Sequence, residues 1–142
     1  MFSNIIYKSE LNKSVIKPNQ LIHTLETIVT NCNKKNKRIK ISGLLIFYKH
    51  QFFQWIEGDK EPVDQLFDQI IKDNRHTKVT IMKHNFKDFR MFEQHPMKFI
   101  CSPGVGAQLK LDQKVFEPRI EEDLEELSEN PSDIIPSFSK FQ

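Results

Sequence analysis

The stretch KISGLLIFYKHQFFQWIEG, residues 40–58, constrains the fold more than any other part of the chain. It holds two apolar runs, KISGLLIFY and QFFQWIEG, separated only by Lys49 and His50. Runs rich in β-branched and aromatic residues and joined by two residues predict an antiparallel hairpin. The joint lacks Asn-Gly or Asp-Gly, which leaves the turn type open. Side chains alternate along a strand, so Phe52, Gln54 and Ile56 share one face while Phe53, Trp55 and Glu57 share the other. Both faces therefore need cover. Gln54 is the anomaly. A buried amide left unpaired costs about 1–3 kcal/mol, so its donors and its acceptor oxygen require partners.

The flanking segments supply the cover. FSNIIYK (2–8) reads as a strand. Leu21, Ile22, Leu25, Ile28, Val29 and Cys32 follow a helical period, and Pro18 suits a first helical turn. NKKNKRIK (33–40) reads as a polar loop. Val63, Leu66, Phe67, Ile70 and Ile71 mark a second helix, with Asp59 placed to cap it and Asn74 to end it. KVTIMKH (78–84) alternates like a strand with one buried face. The loop NFKDFRMFEQHP leads to a short strand, MKFI (97–100). The order is β-α-β-β-α-β with one further β. It predicts an α+β, ferredoxin-like fold with both helices on one face of an antiparallel sheet. If Gln54 faces the helices, it points into the layer between them and the sheet, where a ligand could sit. PRIEEDLEELSEN (118–130) predicts an amphipathic helix with Ile120, Leu124 and Leu127 on its apolar stripe. Pro131 and Pro136 break the following segment, for which a turn or short helix and a loose end are expected. The division expected is a core over 1–100 and a helical extension over 101–142, packed on the sheet or on a partner.

Motifs exclude several chemistries. A chain of 142 residues reads as one domain. It carries no GxGxxG or P-loop and has only four glycines to build a phosphate cradle. HExxH and GxSxG are also missing. Asp73, His76 and His84 are better explained by a helix end and a strand than by a metal, and none is expected. Cys32 and Cys101 lack ligand spacing and read as reduced thiols. The basic run Lys34, Lys35, Lys37, Arg38 and Lys40 lacks flanking aromatics, so a solvated segment is favoured over a nucleic-acid surface. Bound small-molecule phosphate is an intermediate reading. No apolar run approaches the roughly 20 residues of a membrane span, and no signal-peptide core is present. A cytoplasmic location is expected.

Several motifs in order carry a resemblance. Asn36, then ISGLL (41–45), then FFQWIEG (52–58), then Asp73-Asn74-Arg75-His76, preceded by IIYKS (5–9), resembles the BLUF family of flavin-using blue-light sensors over about residues 1–100. The resemblance implies a flavin, FAD with FMN as the alternative, held between the two helices over the sheet. It matches Tyr7 to a tyrosine that donates an electron and a proton to the excited flavin. Gln54 matches the glutamine between that tyrosine and the flavin, and Asn36 an asparagine on the ring's polar edge. Ile28 and Ile70 match residues that sandwich the ring. Arg75 and His76 match a basic pair near the ribityl and phosphate side, and Met97 a methionine near the glutamine.

The chain departs from the family pattern in places. His95-Pro96-Met97 stands where W-x-M is common, so tryptophan-based signalling in that form is not expected; His95 reads as a surface residue, with a switch that titrates near neutrality as the alternative. Lys35 replaces a second Asn and is placed to meet a phosphate. Gln69 stands where some members have Arg, and Lys40 replaces a common Gly. The resemblance points to a short, stand-alone photoreceptor that is not an enzyme. Its output is expected through a protein partner or a change in homo-oligomeric assembly, with the acidic C-terminal helix as the output surface. The rival readings are a ferredoxin-like interaction module without flavin and a small acylphosphatase-like hydrolase, for which the Arg and Asn arrangement is lacking.

Overall fold

Lys49 and His50 both adopt positive φ, 49° and 62°. Two consecutive left-handed residues form a type I′ turn, whose twist matches that of the strands it joins. In the computed structural model, which describes residues 1–129, this turn closes the predicted hairpin between β2 (Ser42–Tyr48) and β3 (Gln51–Gly58). β1 (Phe2–Leu11) pairs antiparallel with β3, and β4 (His76–Lys87) pairs antiparallel with β1. The order β4-β1-β3-β2 is the ferredoxin-like sheet.

Two further strands depart from a fully antiparallel sheet. β5 (Lys98–Cys101) lies parallel to β2, and β6 (Phe116–Pro118) lies parallel to β5. After β4 the chain crosses the sheet end through 88–97 instead of turning back, so β5 enters beside β2 in the same direction. Patterning assigns no element to 102–117. There the structure places a single helical turn, α3 (Pro103–Gly106), and β6.

The first helix is longer than predicted. A 3-10 turn at Pro18–Gln20 leads into α1, Leu21–Arg38, so most of the expected polar loop is helix. The reason lies in the spacing. Leu25, Val29, Cys32 and Asn36 fall at i, i+4, i+7 and i+11, one continuous inward stripe that ends in an amide. Lys34 and Lys37 beside them are exposed, and Lys35, Lys37 and Arg38 in the last turn complement the helix dipole. Lys40 follows with φ 57°, the left-handed position where glycine usually stops a helix. α2 spans Lys60–Lys72; Asp59 sits at its N-cap without a side-chain capping bond.

The sheet buries both faces. Against the helices, Ile5, Tyr7, Leu45, Phe47, Phe52 and Ile56 pack with Leu25, Val29, Val63, Leu66 and Phe67. On the far face Ile6, Leu44, Ile46, Phe53, Trp55 and Ile100 pack with Phe92 and with Leu124 from α4 (Glu121–Glu129). The predicted alternation along 52–57 therefore holds, and α4 supplies part of the cover. Ile120, expected on its apolar stripe, is 57% exposed, because the helix begins at Glu121, three residues later than expected, and presents Leu124 to the sheet. Residues 130–142, where a turn or short helix was expected, and the side chain of Leu127 lie outside the described residues. Gly43 has a specific steric role. A Cβ there would lie 1.9 Å from the Trp55 carbonyl oxygen, so only glycine lets β2 approach β3 this closely.

Candidate functional site

Tyr7 and Gln54 stand opposite each other in the β1–β3 pairing, both facing the helices. The Tyr7 hydroxyl donates to Gln54 Oε1, and Gln54 Nε2 donates to Met97 Sδ at 3.5 Å. The amide is 4% exposed, so these contacts answer the demand that a buried glutamine makes. Burial holds the Tyr7 pKa well above that of a free phenol, and the neighbouring Cys32 and Asp73 add to the effect. Tyr7 is therefore a neutral donor at ordinary pH.

A cavity opens beside this pair. Ile28, Cys32 and Asn36 from α1 and Leu66 and Ile70 from α2 wall it, over a floor of Tyr7, Leu45, Phe52 and Gln54. Asp73, Arg75 and His76, at the α2 end and the start of β4, close one side. Seven of the nine residues expected at the site thus line one space. Met97 reaches it through Gln54. Lys35 lies outside the lining; its ammonium donates to Gln69 Oε1 and bridges α1 to α2, so it is engaged between the helices and not aimed at the cavity.

Asn36 is fixed from two directions. Its side-chain Nδ2 donates to the Pro96 carbonyl at 2.9 Å, and its own carbonyl accepts from Ile41 N at 2.9 Å. Asn33, one turn earlier and absent from the sequence-based expectations, donates to the Met97 carbonyl at 3.1 Å. Both amides tie α1 to the segment before β5. The signal for Asn33 was its i−3 spacing from Asn36, concealed when 33–40 is read as a loop.

The polar side is also internally bonded. Arg75 makes a forked pair with Asp73, Nε to Oδ1 at 2.9 Å and Nη2 to Oδ2 at 2.6 Å. Burial raises the Asp73 pKa, but the bonds from Arg75 outweigh it and leave it below the usual carboxylate value. His76 Nε2 donates to the Ile70 carbonyl at 2.6 Å, and Nδ1 lies 2.7 Å from the Ser9 hydroxyl, which can donate to it. Its ring stands edge-on to Tyr7 and Phe52. Cys32 was read only as a reduced thiol; burial pushes it up to about 11, so it presents a neutral sulfur to the cavity. His84, considered beside Asp73 and His76, instead approaches Ser3 at 3.2 Å.

An apolar slot with amides at its floor and edge suits a flat, apolar ring with a hydrogen-bonding rim. Comparison with known proteins agrees. The family model described as "Sensors of blue-light using FAD", BLUF, matches residues 2–98. The chain belongs to the BLUF family. It is a blue-light sensor of the flavin-binding kind. The blue light- and temperature-regulated antirepressor BluF of Escherichia coli is 26% identical over 98 residues, 69% of this chain and 23% of that protein. The photoactivated adenylate cyclase subunit alpha of Euglena gracilis is 38% identical over 64 residues, 45% of this chain and 6% of that protein. The chain thus spans under a quarter of the length of these relatives. Among solved structures, the BLUF protein BlsA in its photo-activated state has a TM-score of 0.67 at 27% identity, covering 80% of this chain and 88% of that one. The dark-state BLUF protein BlrB has a TM-score of 0.76, covering 98% and 92%, and at 20% identity shows the shared fold. Among the described residues, no helix is long and apolar enough to cross a membrane.

Proposed function

We propose that Tyr7 and Gln54 form the light-driven hydrogen-bond switch of this BLUF sensor, with flavin held between Ile28 of α1 and Ile70 of α2. The observation that carries this reading is the unbroken line from the Tyr7 hydroxyl through the Gln54 amide, both on the cavity floor, to the Met97 sulfur behind it. A bound flavin, once excited by blue light, supplies a strong oxidant. Tyr7 is the group in the cavity suited to give an electron and its hydroxyl proton, and to take both back when the cycle closes. Gln54 presents a donor and an acceptor that exchange places by rotation or tautomerisation. In the dark arrangement its oxygen faces Tyr7; the exchanged amide turns a donor toward the phenol and its other end toward Met97. Asn36 holds the ring's polar edge, and Arg75 and His76 border the ribityl side. Lys35, through Gln69, closes the two helices over it.

FAD is the flavin we assign, since the family's description names it. Klebsiella pneumoniae BlrP1, 26% identical over 99% of this chain and 35% of that one with a TM-score of 0.65, has been solved with FMN. Acid release of the bound flavin and chromatography against both standards decides between them. Residues 1–100 form the sensor in this reading, and 101–142 carry the signal to a cytoplasmic protein partner or to a second copy of the chain. Leu124 on the far face of the sheet supports that route. The test is optical. Purified protein is expected to be yellow and to shift its flavin band reversibly to the red under blue light. Protein that cannot be loaded with flavin would overturn the reading.

A further inference from the structure

Glu57 is a charged side chain in an apolar place. It is 2% exposed on the far face of the sheet, three residues from Gln54 on the same strand. Among the described residues no lysine or arginine forms a salt bridge with it. Four hydrogen-bond donors converge on it instead. Oε1 accepts from Phe92 N at 2.6 Å and from the Ser42 hydroxyl at 3.2 Å. Oε2 accepts from Met91 N at 3.0 Å and from Trp55 Nε1 at 3.1 Å. Hydrogen bonds to an ionised acceptor are the strong ones, and two of these four hold backbone amides of one loop.

That loop passes from one face of the sheet to the other. At its near end Phe92 is buried edge-on against Trp55, with ring centroids 5.7 Å apart. His95 N then bonds the Phe92 carbonyl at 2.8 Å, and the His95 carbonyl accepts from Gly43 N at 3.0 Å. At its far end the Pro96 and Met97 carbonyls are held by Asn36 and Asn33, and Met97 touches Gln54. The chain from Glu57 to Gln54 is therefore continuous through residues 91–97.

We propose that Glu57 is a positioning residue for the light cycle, anchoring the far-face end of this loop so that Met97 stays against the Gln54 amide. The proposal rests on the Tyr7–Gln54 reading above. With the anchor loosened, the amide loses one of the two contacts that fix its orientation and turns back more readily after light.

The experiment is a double-mutant cycle on thermal dark recovery of the flavin band, in flavin-loaded protein. Glu57→Gln keeps the side chain's shape but turns an amide donor toward at least one of the four donors. It is expected to accelerate recovery about tenfold, the effect of losing roughly one charge-assisted hydrogen bond. In a Met97→Ala background the same substitution is expected to change recovery less than twofold. Equal acceleration in both backgrounds, or unaltered recovery with only a lower Tm, overturns the proposal. Ser42→Ala removes one donor and leaves the carboxylate; it serves where Glu57→Gln does not fold, with the same sign and a smaller, equally Met97-dependent effect. Wild-type protein that binds flavin but shows no red shift overturns the underlying reading, and is distinct from a wild type that cycles while the two sites act independently.

Discussion

Tyr7 and Gln54 are direct cross-strand partners, and the phenol of one donates to the amide oxygen of the other. Facing positions on adjacent strands hold two side chains together without a loop to position them. The relationship also gives a stability expectation. Tyr7→Phe leaves the buried Gln54 oxygen without its donor, at a cost of about 1–3 kcal/mol. Urea unfolding of the flavin-free variant checks this; an unchanged midpoint would mean the bond contributes nothing to folding.

The Asp73–Arg75 pair gives a pH dependence. The Asp73 pKa is lowered in the folded protein, the bonds from Arg75 overcoming the opposing effect of burial. A lowered carboxylate stabilises the fold above its unfolded value and loses that contribution as pH falls through the folded one. Asp73→Asn is therefore expected to be less stable than wild type at pH 6, with the gap closing below about pH 3.8, the ordinary value for the group. Parallel Tm measurements from pH 6 to pH 2.5 follow the gap. The effect is small, since both side chains are partly solvated.

His95 gives a second pH dependence. Burial lowers its pKa from the ordinary imidazole value, and Lys98 lowers it further, so its titration moves toward the acid side. Any His95-dependent change in dark recovery is expected on the acid side of the ordinary imidazole range. His95→Ala should remove that acid-side change. A midpoint above 7 that disappears in His95→Ala would contradict the placement.

Lys40 occupies a left-handed backbone position at the end of α1. A residue with a Cβ costs about 1 kcal/mol there relative to glycine. Lys40→Gly is expected to raise the unfolding free energy by about that amount and leave the flavin spectrum unchanged. Chemical denaturation of the two proteins measures it.

Leu124 is 1% exposed among Ile46, Phe53 and Trp55, and its neighbour Glu125 accepts from Tyr48 Oη and Lys49 Nζ, each at 2.7 Å. Leu124→Ala is expected to cost about 2–4 kcal/mol if α4 folds with the sheet as one unit. The red shift itself should persist, because Leu124 lies on the face away from Tyr7. Hydrogen exchange at α4 amides and the difference spectrum report the two halves separately.

Much of the fold is legible in the sequence because the two hydrophobic periods rarely conflict. The 52–57 alternation assigns Gln54 and Trp55 to opposite faces correctly, and the helix stripes of α1 and α2 locate Ile28 and Ile70. Three features are not legible, each for a physical reason. Asn36 reads as a loop residue because lysines surround it, yet solvent-facing lysines are what the outer side of a terminal turn requires. β6 consists of Phe116, Glu117 and Pro118, too short to show a period. Alternation places Glu57 only on the face of Phe53 and Trp55, because its four donors come from residues 42, 55, 91 and 92, and only the folded chain brings them together. The flavin itself came from the family motif; alternation indicated only that Gln54 points inward.

The most direct test of the Tyr7–Gln54 switch compares light-minus-dark spectra of wild type and Tyr7→Phe, both loaded with flavin to the same occupancy. The switch predicts a reversible red shift in wild type and none in Tyr7→Phe. A wild-type shift and recovery in Tyr7→Phe would contradict it.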